Sequence, residues 1–421
     1  MTYFAWGLAG LGLFGIVTST VFLVMVGLGV RAFVGMERGE QEELRGRRAA
    51  GEDFLPAVSL LKPLHGAEPD LEKNLRTFYE QDYFSLRAAR VSAAMVRGEA
   101  LSAELAGDVE ILFCARTEAD GGLAIARKVA AEYPQVKTRI VTSGEPWGPN
   151  AKVCSLVAMA RAAANEIWVI SDSDVGVTSE YLRRVVLQFA DPKVGCVTCL
   201  YRGYVPFGGF WSRLEAVGMT IEMSSGVAVA NLLEPMQFAL GPTMATRRAC
   251  VEEIGGFEKM VDFCADDFLL GNRVAMKGHD VRLSGFTLDH MVLHASFMES
   301  MKHQVRWMKS TRFSRPKGHF GTSLTYGLPY GMMAGMGLAM LGHTAWGVAA
   351  FAWTMGARMV QAWGVGRYMV HKRRVWPTMM LFPLRDFMGF FLWALSYTSR
   401  RILWRGEVYE LMEEGRMRKA E

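Results

Sequence analysis

Ile167-Trp168-Val169-Ile170-Ser171-Asp172-Ser173-Asp174 is an apolar run closed by two carboxylates one residue apart. A run of this kind reads as a short strand buried on both faces. In open α/β sheets, ligands bind beyond the carboxyl ends of the strands. Asp172-x-Asp174 would there offer two hard oxygen ligands close enough to share one divalent cation, which can neutralise a diphosphate. The same residue types also suit a solvated strand-to-helix turn or an N-cap. The flanking sequence has to separate the two readings.

Upstream, residues 57–61 read as a first strand that ends in Lys62-Pro63-Leu64-His65-Gly66, and Leu71, Leu75 and Phe78 then recur at helical spacing. Residues 109–115 predict a second strand, 125–133 a helix, 137–142 a third strand and 153–164 a helix leading to the Asp-x-Asp strand. Strand and helix alternating in this rhythm predict an α/β fold with a mostly parallel sheet and right-handed crossovers. Downstream, residues 195–204 resume strand character, and Asp266-Asp267 opens an apolar helix running to Met276. A last helix is expected over 297–312, carrying His303-Gln304-Val305-Arg306-Trp307.

The chain has 421 residues, 51% of them hydrophobic, and a mean hydropathy of +0.13, which directs attention to membrane segments. Its net charge of +5 is modest and its basic residues cluster beside apolar runs, so nucleic acid is not the expected partner. Six cysteines sit mid-chain, and Cys196-x-x-Cys199 lacks a second pair at zinc spacing, so they read as buried thiols in a reducing compartment. Residues 2–30 contain no Asp, Glu, Lys or Arg and are followed by Arg31, Arg38, Arg45, Arg47 and Arg48. The run is too long for a signal peptide and lacks a basic start, so it predicts a retained anchor with the central region on the cytosolic side.

Residues 320–356 are again free of those charges, and with the extension to 365 they offer room for two spans. A third apolar stretch, 375–397, contains Pro377, Pro383 and Arg385-Asp386 and is flanked by basic residues at both ends (Arg367 and Lys372–Arg374; Arg400, Arg401 and Arg405). Both flanks therefore favour the cytosolic side, as a re-entrant or interfacial helix would allow. The expected organisation is an anchor (1–31), a juxtamembrane linker that could form an amphipathic surface helix (32–51), a catalytic domain (52–318), a C-terminal membrane region of two to three segments (319–405) and a cytosolic tail (406–421).

Three further groups carry chemistry. Asn150-x-Lys152 at a helix start can meet an anion with side chains and free N–H groups, or can merely cap the helix. Asp266-Asp267 can complement a helix dipole, or can supply a general base against an apolar wall. Arg306-Trp307 can hold a pyrophosphate and stack on a sugar or acceptor, or can belong to an interfacial helix.

Taken in order, Lys62-Pro63-Leu64-His65-Gly66, Asn150-x-Lys152, Asp172-x-Asp174, Asp266-Asp267 and Arg306-Trp307 resemble the membrane-bound GT-A glycosyltransferases. The pattern is most similar to the ceramide glucosyltransferase family and its bacterial hopanoid-glycosylating relatives, over nearly the whole chain. The resemblance implies an inverting transfer of a hexose, glucose or N-acetylglucosamine, from a UDP-sugar to a hydroxyl of a membrane lipid, by an integral membrane enzyme of a bacterial-type inner membrane or its equivalent. It implies Mg2+ or Mn2+ on Asp172 and Asp174, and Asp267 as catalytic base with Asp266 beside it. Lys62, Pro63, Asn150, Lys152, Asp172, Arg306 and Trp307 would contact the donor, and His303 and Trp307 the acceptor.

Two positions depart from the family pattern. His303 stands where the motif ending in Arg-Trp begins with Gln or Arg, and the segment that reads uracil holds Glu118 and Asp120, either of which could substitute for the usual adjacent aspartates. If Asp267 were not the base, His294 and His303 would be the next candidates. A processive polysaccharide synthase shares the site logic but needs a multi-helix channel, and a membrane scaffold on a degenerate transferase fold would not need both acidic pairs. A nicotinamide oxidoreductase is disfavoured, because no Gly-x-Gly-x-x-Gly follows the first strand.

Overall fold

The computed structural model describes residues 1–98, 100–102, 104–293, 296–404 and 406–420. His294 and Arg405 therefore lie outside the described residues. The chain forms two compact units, Met36–Tyr201 with Pro235–Met291, and Met1–Gly35 with Arg202–Glu234 and Val292–Glu421.

The first unit is built on an eight-stranded sheet: β1 (Val58–Pro63), β2 (Glu110–Ala115), β3 (Lys137–Thr142), β4 (Ile167–Ser171), β5 (Val175–Gly176), β6 (Val194–Tyr204), β7 (Thr243–Arg247) and β8 (Asp280–Met291). The spatial order is β3-β2-β1-β4-β7-β6-β8-β5. β3, β2, β1 and β4 run parallel, as the alternating sequence predicts. The expectation of a mostly parallel sheet holds for that half alone, since β7 is antiparallel to both β4 and β6, and β5 is antiparallel to β8. The α/β class stands, with a mixed sheet.

β2 and β4 are buried along their whole length, because helices cover both faces and every position needs an apolar or satisfied side chain. β3 is only partly covered and carries Lys137 and Arg139, charges that blunt an edge strand against further pairing. Leu60, Phe78, Phe113, Val169, Tyr181 and Phe286 belong to one buried cluster that fixes the register of β1 against β4, with Leu61 opposite Ile170. This register brings the ends of β1 and β4 level, and the site lies there.

Residues 32–50 of the expected juxtamembrane segment are helical. A single helix runs from Thr2 to Ala50, and within the first unit its Glu40 is buried. The Glu40 carboxylate accepts from Arg184 at 2.8 Å, Gln188 at 2.7 Å, Ser284 Oγ at 2.8 Å and Gly285 N at 3.0 Å. Charge in this segment marks a paired interior carboxylate, which hydropathy alone reads as solvated surface.

The second unit is helical. Three helices in the described chain are long and apolar enough to cross a membrane: Thr2–Ala50, Phe210–Leu233 and Trp376–Leu395. The Phe210–Leu233 helix was not expected, because Arg213, Glu215 and Glu222 interrupt its hydropathy. Conversely, the 320–365 stretch does not supply two spans of that kind. Leu328–Met340 has 13 residues, about 20 Å of helix against a hydrocarbon core of about 30 Å. It packs instead against Thr344–Gly364 and the N-terminal helix through small residues. A Cβ on Gly331 would lie 2.1 Å from Thr354 Oγ1, and one on Gly337 would lie 2.4 Å from Ala9 N.

The charges in the Trp376–Leu395 helix are paired inside the protein. Asp386 accepts the N–H groups of Gly327 at 2.9 Å and Leu328 at 2.7 Å and faces Arg358 at 3.3 Å, while Arg385 meets Glu222 at 2.9 Å. Asp386 thus satisfies the first donors of the Leu328–Met340 helix, which would otherwise be orphaned in an apolar setting. The region expected as a tail forms a small antiparallel sheet of β9 (Arg401–Trp404), β10 (Glu407–Leu411) and β11 (Met417–Lys419).

Candidate active site

Beyond the end of β4 the chain turns through Asp172-Ser173-Asp174 into β5, which pairs with β8 so that Val175 lies opposite His290. The turn is held from below by Lys62. This lysine is wholly buried on β1, donates to the Asp172 carbonyl at 2.7 Å and lies 3.6 Å above the Phe78 ring. Burial draws its pKa down to about 7, against the pull of Asp172, Asp174 and Glu68. Ser173 is tied by its hydroxyl to Glu68 at 2.6 Å.

Lys152 comes from the first turn of the Ala151–Ala162 helix. Its ammonium is 2.7 Å from Asp172 Oδ1 and 3.4 Å from Asp266 Oδ2. Burial alone would lower its pKa, but the carboxylates of Asp172 and Asp266 outweigh that and raise it. The helix is aimed by Asn150, whose side-chain oxygen caps Val153 N at 3.2 Å while its amide donates to Phe263 O at 2.9 Å.

Asp266 and Asp267 open the Asp266–Met276 helix, as expected. They differ in surroundings. Asp266 faces Lys152 and the Asn150 amide, the latter at 3.4 Å. Asp267 accepts from Gly241 N at 2.8 Å through Oδ2 and from Phe268 N at 2.8 Å through Oδ1. Burial, then the Asp266 charge, lifts its pKa to about 6, with Lys152 and the two N–H groups opposing. It is therefore a carboxylate ionised at neutral pH and basic enough to take a proton there.

Asp174 is the residue most open to a metal. Its Oδ1 is buried with no hydrogen-bond partner, and its Oδ2 lies 3.5 Å from His290 Nε2. Burial raises its pKa, with His290 opposing. Among the described residues no three His, Cys, Asp or Glu side chains form a ready cage. Two carboxylates with one orphaned oxygen do fit a hard cation that draws its remaining ligands from a phosphate and water, the usual arrangement for Mg2+.

Several sequence expectations change in detail. Lys62 and Asn150 are completely buried and offer no surface to a donor, so their part is to hold the Asp172 turn and the Lys152 helix. Pro63 ends β1, directly after Lys62. Asp120 is committed to the backbone, accepting from Gly66 N at 3.0 Å and Gly122 N at 2.7 Å. Glu118 is exposed and paired with Arg127. His290 was missed, because it lies 116 residues beyond Asp174 and only the β5–β8 pairing joins them. Tyr201 was missed too. Its ring is 5.3 Å from His290, and burial followed by the charges of Asp267, Asp172 and Asp174 raises its phenol pKa.

Arg306, Trp307 and His303 belong to the second unit and share the Phe297–Ser314 helix, which opens with a capping box of Ser296 and Glu299. The Arg306 guanidinium lies 5.7 Å from the Trp404 ring centroid, and the His303 and Trp307 rings are 4.3 Å apart. His303 Nδ1 is 2.7 Å from Glu215 Oε1.

A profile of glycosyl transferase family 21 matches residues 19–87 and 106–417. The chain belongs to that family. As a family 21 glycosyltransferase it is 22% identical over 376 residues to ceramide glucosyltransferase 1 of Caenorhabditis elegans, covering 86% of this chain and 73% of that protein. It is 21% identical over 260 residues to ceramide glucosyltransferase 3 of the same organism, of which it spans half. Among solved structures it is similar to a mannosyltransferase from Pyrobaculum calidifontis in complex with GDP-Man and Mn2+, at a TM-score of 0.45 and 19% identity, covering 87% of this chain and 99% of that one. In this family 21 chain the two acidic pairs, Asp172/Asp174 and Asp266/Asp267, share one compact unit with Lys152.

Proposed function

We propose that the chain is an inverting, UDP-sugar-dependent lipid glycosyltransferase of ceramide glucosyltransferase type, with a GT-A catalytic unit on the cytosolic side of a membrane. The observation that carries this reading is the placement of Asp267, a largely buried carboxylate of raised pKa, in one unit with Lys152, Asp172 and Asp174. The match to proteins named ceramide glucosyltransferases supports the substrate classes, and the apolar Thr2–Ala50 and Phe210–Leu233 helices support a membrane acceptor.

In this reading Asp172 and Asp174 hold Mg2+ or Mn2+, which when bound neutralises charge on the donor diphosphate. Lys152 keeps Asp172 in place and adds positive charge to the leaving-group side. Arg306 serves the pyrophosphate and Trp307 the acceptor. Asp267 accepts the proton of the lipid hydroxyl as that oxygen bonds to the anomeric carbon, the bond from that carbon to phosphate breaks, and UDP departs with the electron pair. One displacement inverts the anomeric configuration. The N–H groups of Gly241 and Phe268 keep the carboxylate aimed while it waits for its proton.

The test is direct. Purified protein in detergent is given UDP-glucose or UDP-N-acetylglucosamine, Mn2+, and ceramide, diacylglycerol or a hydroxylated hopanoid in turn, and the lipid extract is read by mass spectrometry. A hexosylated lipid of inverted configuration is the expected product. Transfer to a growing polysaccharide in place of any lipid would defeat the reading in favour of a synthase.

A further inference from the structure

Glu215 is an acidic residue inside the Phe210–Leu233 helix, a segment apolar enough to cross a membrane. Its side chain is 1% exposed. A buried carboxylate in such a helix is costly and is retained where it is paired and used. Here both oxygens are engaged by one helix: Oε1 lies 2.7 Å from His303 Nδ1, and Oε2 accepts from Ser300 Oγ at 2.5 Å. Gln304 braces the same hydroxyl, donating to Ser300 Oγ at 2.9 Å. Residues 300, 303, 304 and 307 recur at helical spacing, so they share a face of the Phe297–Ser314 helix.

The contact does two things to His303. A carboxylate at Nδ1 fixes the proton on that nitrogen and the orientation of the ring. The oriented ring then lies against the Trp307 indole, 4.3 Å between centroids and inclined by 54°. An indole bounded on one side by a ring that cannot swing loses rotamers that a free surface tryptophan would keep. Glu215 itself need not touch substrate to matter.

We propose that Glu215 and His303 form a positioning pair that sets the Trp307 side chain, and through it the acceptor lipid. The pair rests on the reading that Trp307 meets the acceptor. Glu215 is the anchor, Ser300 holds its second oxygen, and His303 transmits the constraint.

A double-mutant cycle tests this, with ceramide as acceptor, UDP-glucose as donor, and UDP binding by calorimetry as the control. Glu215→Ala and His303→Ala should each raise the acceptor KM or lower kcat by ~10- to 100-fold, the scale of a misplaced contact group, while UDP affinity stays within about twofold. Glu215→Gln should recover most of the activity, since its amide oxygen still accepts from Nδ1–H and its amide nitrogen can donate to Ser300 Oγ. On a Trp307→Ala background, Glu215→Ala should add nothing further. If Trp307→Ala is impaired and Glu215→Ala multiplies the defect, the pair acts elsewhere and the proposal falls alone. If Trp307→Ala works at the wild-type rate, the role of Trp307 falls first and the pair with it. Unchanged kinetics in Glu215→Ala would overturn the proposal whatever Trp307 does.

Discussion

Lys152 holds its ammonium 2.7 Å from Asp172 Oδ1, and it is the same ammonium that lies 3.4 Å from Asp266 Oδ2. One cation thus joins the Asp172 turn to the helix that opens with Asp266 and Asp267. Lys152→Met keeps the stem and removes the charge. Turnover should fall at least ~10-fold, because the buried Asp266 and the partly exposed Asp172 lose their partner and the site loses positive charge. Lys152 also opposes the rise of the Asp267 pKa, so the acidic limb of the pH–rate profile should move to higher pH. A profile superimposable on wild type would show that Lys152 is electrostatically idle.

Asp267→Asn should lower kcat by ~10²–10⁴-fold, the usual cost of losing a general base, with UDP affinity little changed. The wild-type profile carries its own check. In the proposed role Asp267 works only when ionised, and its pKa is raised to about 6 by burial and by Asp266. Activity should therefore be full near neutrality and fall as pH drops through about 6. Asp266→Asn removes the like charge and should shift that limb to lower pH. Retained activity in Asp267→Asn would send the search for the base elsewhere.

Metal dependence should follow Asp174 and His290. Treatment with excess EDTA should abolish turnover, and Mn2+ or Mg2+ should restore it. Asp174→Ala should be inactive at any metal concentration. His290→Ala should need more Mn2+ for half-maximal rate, because the ring stands 3.5 Å from Asp174 and steadies it. A metal titration of the purified variants reads both effects, and full activity in EDTA would remove the cation from the scheme.

Asp386→Ala should cost about 3–5 kcal/mol, since it strands Arg358 and uncaps the Leu328–Met340 helix. Thermal unfolding in detergent should show the loss. The paired change Asp386→Asn with Arg358→Met should be milder than Asp386→Ala, because it leaves no lone charge. Equal melting temperatures for wild type and Asp386→Ala would mean the network holds nothing.

The chain should stay in the pellet when membranes are washed with alkaline carbonate, given the uncharged run at 2–30. Recovery in the supernatant would contradict an integral anchor.

The parallel half of the sheet was legible because β1, β2 and β4 carry short apolar runs, and β3 and β4 fall where the sequence placed them. The antiparallel half was not. β5 has two residues, and β8 reads Asp-Val-Arg-Leu-Ser-Gly, in which no uniform apolar run announces a strand. The acidic pairs and Lys152 could be found from local motifs, since each sits where a strand or helix begins or ends. His290 and Glu215 could not, because their meaning comes from partners 116 and 88 residues away. Glu40 misled for a related reason: hydropathy counts a charge as surface, and only the fold supplies Arg184.

The Trp376–Leu395 helix places Arg385 and Asp386 near its middle, and their partners Glu222 and Arg358 precede it in the chain. A nascent segment with two unpaired charges at its centre carries a penalty of ~2.5–3.5 kcal/mol for each during insertion. Glu222 and Arg358 leave the ribosome first, so the counter-ions are already made when this helix emerges. Its entry into the fold is then expected as a late step of biogenesis, templated by earlier helices. A reporter fused after this helix alone should fail to integrate into microsomal membranes, whereas the same reporter after the whole chain should be retained; independent integration of the isolated helix would mean that its charges find relief without Glu222 and Arg358.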